Sequence, residues 1–372
     1  MSFSKNIVIA CSYPITTERV GGMDYFFWQL DQELKKLGYT ITWLFRSSGS
    51  TQHYSDKGLN FEIVQDYHRF QEELLLWLET KKGTSLFIGH FLDYQSSIVK
   101  RIKVVLGQSV PCIYVDHMSR PIYRPSFSKR IKRKIKGFVY YNQVDKIIAV
   151  SNYVKQSILT EMGAFWRQKI EVVYNGLGTE NYKIEAFSSK NKSLAIFCIG
   201  HLIKEKGFQT VISSCQLLQE QSIAFHLTIA GEGNYKDNLI ALAAQSLRPN
   251  SVTFLGNITN QSDWLNSSDI VIIPSLWNEA FGFTVLEALF MNKVVFATSV
   301  GGIPEILKDN LLLFNPNDEK QLATIIIDYM SDTKKYKAIA QVLYENSKYE
   351  FTIERMVSEH ITCYNSFLKP FH

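Results

Sequence analysis

The chain has 372 residues, of which 46% are hydrophobic and 13% aromatic, and a formal net charge of +5. This length exceeds one compact core and suits two domains, whereas no apolar run approaches the ~18 residues of a membrane-spanning helix. Residues 1–180 hold 24 Lys and Arg against 16 Asp and Glu (+8), and residues 181–372 hold 16 against 19 (−3). We therefore expect the first half to meet an anionic partner.

The N-terminal segment and the cysteines indicate the compartment. The chain begins MSFSKNIVIACSYP, without the basic segment, long apolar stretch and cleavage site of a secretory signal. The five cysteines are scattered and form no CxxC pair, so they favour neither a disulfide framework nor a zinc site. We expect a cytoplasmic chain whose cysteines are reduced core residues.

Strand-like and helix-like segments alternate along the first half. NIVIA at 6–10 predicts a buried strand, and apolar residues at helical spacing from Met23 predict a helix that ends at Gly38. Further strand-like runs follow: YTITWLF, SLFIGHF, PCIYVDH, DKIIAVS and IEVVYNG. This alternation is typical of a parallel sheet with crossover helices. We predict a first domain over residues 1–180.

A second series of strands follows the polar stretch TENYKIEAFSSKNKS. Its members are LAIFCIG, FHLTIAG, VTFLG, DIVIIPS, KVVFATS and LLLF. We predict a second domain over residues 181–352, followed by a helix over 353–372 that crosses back to the first domain. Because ligands of such sheets bind at the carboxyl ends of the strands, the cleft between the domains is the expected site.

Several residues just after predicted strands are candidates for anion binding. Gly21 and Gly22 precede the first helix, where backbone N–H groups can approach a phosphate, although glycines that only turn the chain explain them equally well. Lys206 follows LAIFCIG and either neutralises a diphosphate or is a solvated lysine. Neither GxGxxG nor GxxxxGK[ST] occurs, which disfavours a dinucleotide oxidoreductase and a P-loop NTPase.

Two carboxylates, Glu279 and Glu287, lie in the stretch PSLWNEAFGFTVLEALF. Thr284 and Glu287 have the spacing of a capping box, which is the structural explanation. A capping box does not require Glu279 and Gly282 upstream, nor GGIPE at 301–305 downstream, so we favour a ligand site. A glycosidase pair is disfavoured, because the surrounding motifs are of the phosphate-binding type.

The order of these motifs resembles the retaining glycosyltransferases of family 4, which have the GT-B fold of two facing Rossmann-like domains. The resemblance runs nearly end to end and rests on the GG pair at 21 and 22, DKIIAVSNYVKQSI, VVYNG, IGHLIKEKG, IAGEG, FLGNI, SLWNEAFGFTVLEA and GGIPE. The E-x7-E element with GF inside is its specific part. It implies an α/β protein that uses a nucleotide-diphosphate sugar as donor.

The resemblance implies a role for each matching residue. Glu287 would hold ribose hydroxyls, Glu279 the donor sugar and Lys206 the diphosphate. His117 would reach toward the sugar, and a buried strand-end histidine is its structural alternative. The catalytic candidates are therefore Glu279, His117 and Lys206. The implied donor-binding residues are Gly21, Gly22, His201, Lys206, Gly231, Asn257, Ile258, Glu279, Gly282, Phe283, Thr284, Val285 and Glu287.

One departure from the family and one absent motif bear on the mechanism. His201 stands where family members usually have arginine, and histidine is only partly charged near neutral pH. No D-x-D motif occurs, so we expect no metal cofactor. Lys206, helix N-termini and backbone amides would stabilise the leaving diphosphate, and the anomeric configuration would be retained.

Residues 120–136 form a basic segment with eight Lys or Arg and no acid. Phe127, Ile131, Ile135 and Phe138 follow helical spacing, which predicts a basic amphipathic helix within 120–138. Its apolar stripe either faces the core or, with the basic residues, meets anionic lipid headgroups. No nucleic-acid-binding module accompanies the charge.

Together these features predict a cytoplasmic transferase, peripheral at the inner face of the cell membrane. It would move a hexose-type sugar to a glycan acceptor, lipid-linked, in the assembly of bacterial surface polysaccharide. The alternatives are a nucleotide-sugar-binding subunit with little turnover, to which His201 points, and a sugar-nucleotide epimerase on a related fold.

Overall fold

The computed structural model of the chain describes residues 6–15, 22–47, 51–66, 68–121, 126–178, 182, 184 and 193–368. The chain divides into two compact units. The first comprises residues 1–118, 124–177 and 353–372, and the second comprises 119–123 and 178–352.

The first unit is built on a seven-stranded parallel sheet. Its strands are β1 (Asn6–Pro14), β2 (Thr40–Arg46), β3 (Phe61–Val64), β4 (Thr84–His90), β5 (Cys112–Asp116), β6 (Lys146–Ala149) and β7 (Ile170–Val172), in the order β3-β2-β1-β4-β5-β6-β7. The helices between them are α1 (Gly22–Lys36), α2 (Gln52–Asp56), α3 (Phe70–Thr80), α4 (Ile98–Leu106), α5 (Phe127–Tyr140) and α6 (Asn152–Met162). Every residue of β5 is buried, as expected for a parallel strand covered on both faces.

The second unit repeats this plan with six strands. They are β8 (Leu194–Ile199), β9 (Phe225–Ala230), β10 (Val252–Gly256), β11 (Ile270–Ile273), β12 (Val294–Thr298) and β13 (Leu313–Phe314), in the order β10-β9-β8-β11-β12-β13. The helices are α7 (Phe208–Glu220), α8 (Lys236–Ser246), α9 (Gln261–Asn266), α10 (Phe283–Phe290), α11 (Ile303–Leu307), α12 (Glu319–Ser331) and α13 (Thr333–Glu350). The predicted α/β class with two parallel sheets is confirmed.

The last helix, α14 (Ile353–Asn365), packs within the first unit. Its His360 ring lies 4.9 Å from the ring of Phe26 on α1. The backbone N–H of Ile353 donates to the carbonyl of Leu177 at 3.2 Å. These contacts fix the C-terminal helix to the first sheet's helical layer.

Helix α5 carries the predicted basic amphipathic sequence, and its apolar stripe is exposed. Phe127, Ile131, Ile135 and Phe138 are 76%, 44%, 57% and 78% exposed. The buried residue of α5 is Gly137, where an added Cβ would come 2.5 Å from the carbonyl of Met162 on α6. The core-facing explanation of the stripe is therefore wrong. Residues 122–125 of the basic segment lie outside the described residues.

No helix in the described ranges has both the length and the apolar character needed to cross a membrane.

Candidate functional site

The order of the strands in the second sheet reverses between β8 and β11. These strands are neighbours, with Ile270 opposite Ile196, yet the chain continues from β8 to β9 on one side and from β11 to β12 on the other. Loops diverge at such a switch point, and ligands of open α/β sheets bind there, beyond the carboxyl ends of the strands. The backbone N–H of Leu276, after β11, donates to the carbonyl of Glu205, after β8, at 2.7 Å. The two loops therefore meet at the sheet edge.

An ion pair joins these two loops. Lys206 Nζ lies 2.6 Å from Glu279 Oε1, and the two side chains are 35% and 15% exposed. Ser275 Oγ donates to the same carboxylate oxygen at 2.8 Å. A cation and a carboxylate that the sequence places 73 residues apart are thus held side by side.

Gly207 brings the loops close enough for this pair to form. It follows the 3₁₀ turn Lys204–Lys206 and adopts φ +75 as the N-cap of α7. An added Cβ would come 1.9 Å from the carbonyl oxygen of Pro274. Any other residue would push the two loops apart, because this approach leaves no room for a side chain.

A short strap, residues 119–121, supplies a further donor to Glu279. Ser119 Oγ donates to Glu279 Oε2 at 3.3 Å and accepts from the N–H of Ala280 at 3.3 Å. Arg120 and Asn278 exchange two backbone hydrogen bonds of 2.9 Å each, which pin the strap beside the carboxylate. Ser119 and Ser275 carry no recognisable sequence signal, and neither was predicted.

These contacts decide the charge of Glu279. Burial favours its neutral form, but the charge of Lys206 and the hydrogen bonds from Lys206, Ser275 and Ser119 outweigh burial and lower its pKa. Glu279 is therefore a carboxylate at neutral pH. It can accept hydrogen bonds from hydroxyl groups and is unsuited to donate a proton.

The glycines of GGIPE pack against the backbone of Glu279. Gly302 N–H donates to the Glu279 carbonyl at 2.8 Å, and Gly301 N–H donates to Asn278 Oδ1 at 3.2 Å. A Cβ on Gly301 would come 2.1 Å from the Glu279 carbonyl oxygen. This motif holds the backbone of the carboxylate residue in place.

Helix α10 begins at Phe283 with Gly282 as its N-cap at φ +118. Thr284 is the second residue of the helix and Glu287 the fifth, so neither occupies a capping-box position and that explanation is wrong. Glu287 Oε2 instead accepts from Gln261 Nε2 of α9 at 3.0 Å. The first N–H groups of α10, which include those of Phe283 and Thr284, lack intrahelical acceptors and favour an anion.

Glycines line the carboxyl ends of β8, β9 and β10. Gly231 N–H donates to the carbonyl of Gly256 at 2.7 Å, and a Cβ on Gly231 would come 1.9 Å from the carbonyl oxygen of Gly200. Asn257 is exposed and Ile258 half-buried directly after this edge. Donor binding by Gly231, Asn257 and Ile258 stays a prediction.

For most of the remaining predicted residues the structure gives a position and a burial. His201 follows β8 and is exposed. Val285 is buried in the first turn of α10. Gly22 is the first residue of α1, and Gly21 lies outside the described residues.

His117, after β5 in the first unit, is paired with another histidine. Its Nε2 lies 3.1 Å from Nδ1 of His90, the last residue of β4. The ring of Phe91 stacks on His117 with centroids 4.5 Å apart and planes at 17°. Burial, together with the charge of His360, lowers the pKa of His117 to about 3. His117 is therefore a neutral imidazole near pH 7, and its contact with a sugar stays a prediction.

The site thus offers a cation, a helix N-terminus, two carboxylates and exposed backbone groups in the loops that follow the strands of the second sheet. Such a set suits an anionic ligand with several hydroxyl groups. Among the described residues, no group of three or more His, Cys, Asp or Glu side chains could hold a metal ion.

Comparisons with known families and proteins agree with one another. The family described as Glycosyltransferase Family 4 matches residues 20–181, and the family described as Glycosyl transferases group 1 matches residues 180–345. The phosphatidylinositol N-acetylglucosaminyltransferase gpi3 subunit of Schizosaccharomyces pombe is 25% identical over 209 residues, 56% of this chain and 45% of that protein. An uncharacterized 42.6 kDa protein in the cps region of Klebsiella pneumoniae is 31% identical over 176 residues, 47% of this chain and 43% of that protein.

The chain spans less than half the length of the first curated relatives that it matches. Among solved structures, Anabaena HepE in complex with UDP and glucose is similar with a TM-score of 0.76 and 16% identity, covering 98% of this chain and 100% of that one. At this identity the likeness concerns the fold.

The ion pair of Glu279 predicts how stability depends on pH. Because the folded state lowers the pKa of Glu279 below its unfolded value of about 4.3, its contribution is complete above that pH and is lost as the pH falls through the folded pKa. Glu279→Gln should therefore lower the melting temperature at pH 7, by about 2–4 °C for each kcal/mol lost, and the deficit should shrink below about pH 4.3. Melting curves of both proteins from pH 7 to pH 3.5 measure this.

The matched control removes the partner of the carboxylate. In a Lys206→Gln background, adding Glu279→Gln should give a smaller and flatter pH difference. An equal deficit at every pH would contradict the charge assigned to Glu279.

Proposed function

Since the chain belongs to glycosyltransferase family 4, the glycosyl transferases of group 1, we propose that it moves a sugar from a nucleotide-diphosphate donor to an acceptor hydroxyl. The observation that carries this proposal is the pair of Lys206 and Glu279 at the switch point of the second sheet. A cation for the diphosphate and an acceptor for sugar hydroxyls lie there within one hydrogen bond of each other.

The donor is a nucleotide sugar held by the second unit. Lys206 has three ammonium donors, so it can keep its bond to Glu279 while donating to a phosphate oxygen. The N-terminus of α10 adds backbone donors for the same anion, and Glu287 accepts from the ribose hydroxyls. The structurally similar Anabaena HepE was crystallised in complex with UDP and glucose, which supports a donor of this class.

The reaction retains the anomeric configuration. The bond between the anomeric carbon and the diphosphate oxygen breaks, and its electron pair leaves with the nucleoside diphosphate. The acceptor oxygen bonds to the same face of the sugar and gives its proton to a donor phosphate oxygen. Lys206 and the α10 N-terminus stabilise the growing negative charge. We assign this role to the chain's own groups, without a metal ion, because the sequence holds no D-x-D motif.

The acceptor is a lipid-linked glycan, and α5 holds the chain at the anionic inner face of the cell membrane. The helix combines an exposed apolar stripe, 127–138, with exposed Lys129, Lys132 and Lys136. Such a helix lies in a membrane interface with its apolar face buried. One relative is named for phosphatidylinositol and another for a cps region, which supports a lipid-borne acceptor in surface glycan assembly.

Two substitutions separate the roles of the glutamates. Glu287→Gln should weaken binding of the free nucleoside diphosphate about tenfold, because it weakens charge-assisted hydrogen bonds worth about 1.5–3 kcal/mol. Glu279→Gln should bind the free nucleotide at least as well as the wild type, since its partner is the sugar, while transfer falls strongly. Isothermal titration and a transfer assay measure the two effects.

Glu345→Gln, an exposed glutamate of α13, is the control and should change neither measurement. If both site variants bound nucleotide and transferred sugar like this control, the assignment of the carboxylates would be wrong.

The basic surface of α5 makes a separate prediction. Replacing Lys129, Lys132 and Lys136 by glutamine should weaken sedimentation with vesicles containing phosphatidylserine by more than tenfold, because each basic residue near such a surface contributes about 1 kcal/mol. Arg133 is left in place, since it pairs with Glu161 at 2.7 Å. Nucleotide affinity should not change.

The matched control removes the same charge elsewhere on the surface, through exposed Lys320 of α12 and exposed Lys334 and Lys337 of α13. This variant should sediment like the wild type. If both triple variants lost vesicle binding equally, the effect would come from net charge alone, and α5 would not be the membrane-binding surface.

A further inference from the structure

His90 occupies an unusual position for a histidine. Its side chain is completely buried at the end of β4, next to the switch point between β1 and β4 in the first sheet. Its Nδ1 faces His117 Nε2 at 3.1 Å, whereas its Nε2 is buried without a hydrogen-bond partner among the described residues. No motif in the sequence marks this residue, and His90 has no role in the proposed transfer reaction as described above.

The two rings share one hydrogen bond and therefore constrain each other. Burial lowers the pKa of both histidines, so each is neutral and carries one N–H and one unprotonated nitrogen. Either His117 Nε2–H donates to His90 Nδ1, or His90 Nδ1–H donates to His117 Nε2. The first arrangement leaves His117 Nδ1 as an acceptor, and the second makes it a donor.

The aromatic surroundings of His90 favour the first arrangement. Its ring makes edge-to-face contacts with those of Phe26 and Phe27, at interplanar angles of 63° and 80° and with centroids 5.8 and 5.3 Å away. An N–H gains a weak interaction with an aromatic face, whereas a lone pair is repelled by its negative charge. Nε2 has no hydrogen-bond partner among the described residues, so this weak interaction is what its aromatic surroundings offer, and it favours a proton on Nε2 and leaves Nδ1 to accept.

We propose that His90 is a positioning residue that holds His117 in the Nε2–H form and leaves Nδ1 of His117 as a hydrogen-bond acceptor for a substrate hydroxyl. The part that concerns the substrate rests on the proposed function, and the part that concerns the tautomer does not. His117 Nδ1 is itself buried without a partner among the described residues, so it has an acceptor position to fill.

The neighbouring residue Phe91 fixes the plane of His117. Phe91 stacks on its ring and adopts φ +56, a conformation that is strained for a side-chain-bearing residue. Ser12 Oγ donates to the Phe91 carbonyl at 2.5 Å, which ties this strained turn to β1. His90 sets which nitrogen carries the proton, while Phe91 sets where the ring lies.

Nitrogen NMR of the full chain labelled with ¹⁵N-histidine tests the tautomer directly. Long-range ¹H–¹⁵N correlations distinguish protonated from unprotonated ring nitrogens, and single-histidine variants assign the signals. We expect His90 and His117 both to be protonated at Nε2 and unprotonated at Nδ1 near pH 7. A proton on Nδ1 of His117 would overturn the proposal, whether or not the chain transfers sugar.

Substitutions at His90 test the consequence for turnover. Asparagine places an acceptor close to the position of Nδ1, so His90→Asn should keep most of the wild-type kcat/KM, whereas His90→Leu should lose about tenfold or more. His68→Asn, which removes an exposed histidine of the first unit, should transfer like the wild type. Equal losses by the asparagine and leucine variants, with melting temperatures like that of the wild type, would also overturn the proposal.

Discussion

The ion pair between Lys206 and Glu279 is the interaction on which the candidate site depends. It joins the loops that follow β8 and β11, two strands that are neighbours in the sheet but distant in sequence. Gly207 lets one of these loops touch the other, and Gly301 lets a third loop pack on the backbone of Glu279. The parallel sheet therefore determines which loops meet, and glycines determine how closely.

The two units use opposite means to prepare polar groups. In the second unit, hydrogen bonds and a lysine keep Glu279 ionised although burial opposes its charge. In the first unit, burial without a counter-ion keeps His90 and His117 neutral. The ammonium group of Lys206 can bind a negatively charged diphosphate, whereas a neutral imidazole can accept a hydrogen bond from a hydroxyl.

Much of this architecture could be predicted from sequence, because alternating strands and helices dictate two parallel sheets and place each motif after a strand. Ser119 could not be predicted, since it meets Glu279 across 160 residues and no periodicity links them. Helical spacing predicted that Phe127 and Phe138 share a face of α5, but only packing reveals that no described residue covers that face. The capping-box explanation of Glu287 failed for a local reason, since the N-cap of α10 is Gly282, two residues before the Thr284 that such a box requires.

The central claim is that Lys206 and its neighbours bind a nucleoside diphosphate, and thermal melting with UDP, GDP, ADP and their sugar derivatives tests it most directly. At about 100 times its dissociation constant a ligand stabilises the folded state by ~2.7 kcal/mol, which raises the melting temperature by several degrees. The account predicts that nucleotides of one base produce this rise in the wild type and not in Lys206→Gln. No rise with any nucleotide, or an equal rise in the variant, would contradict it.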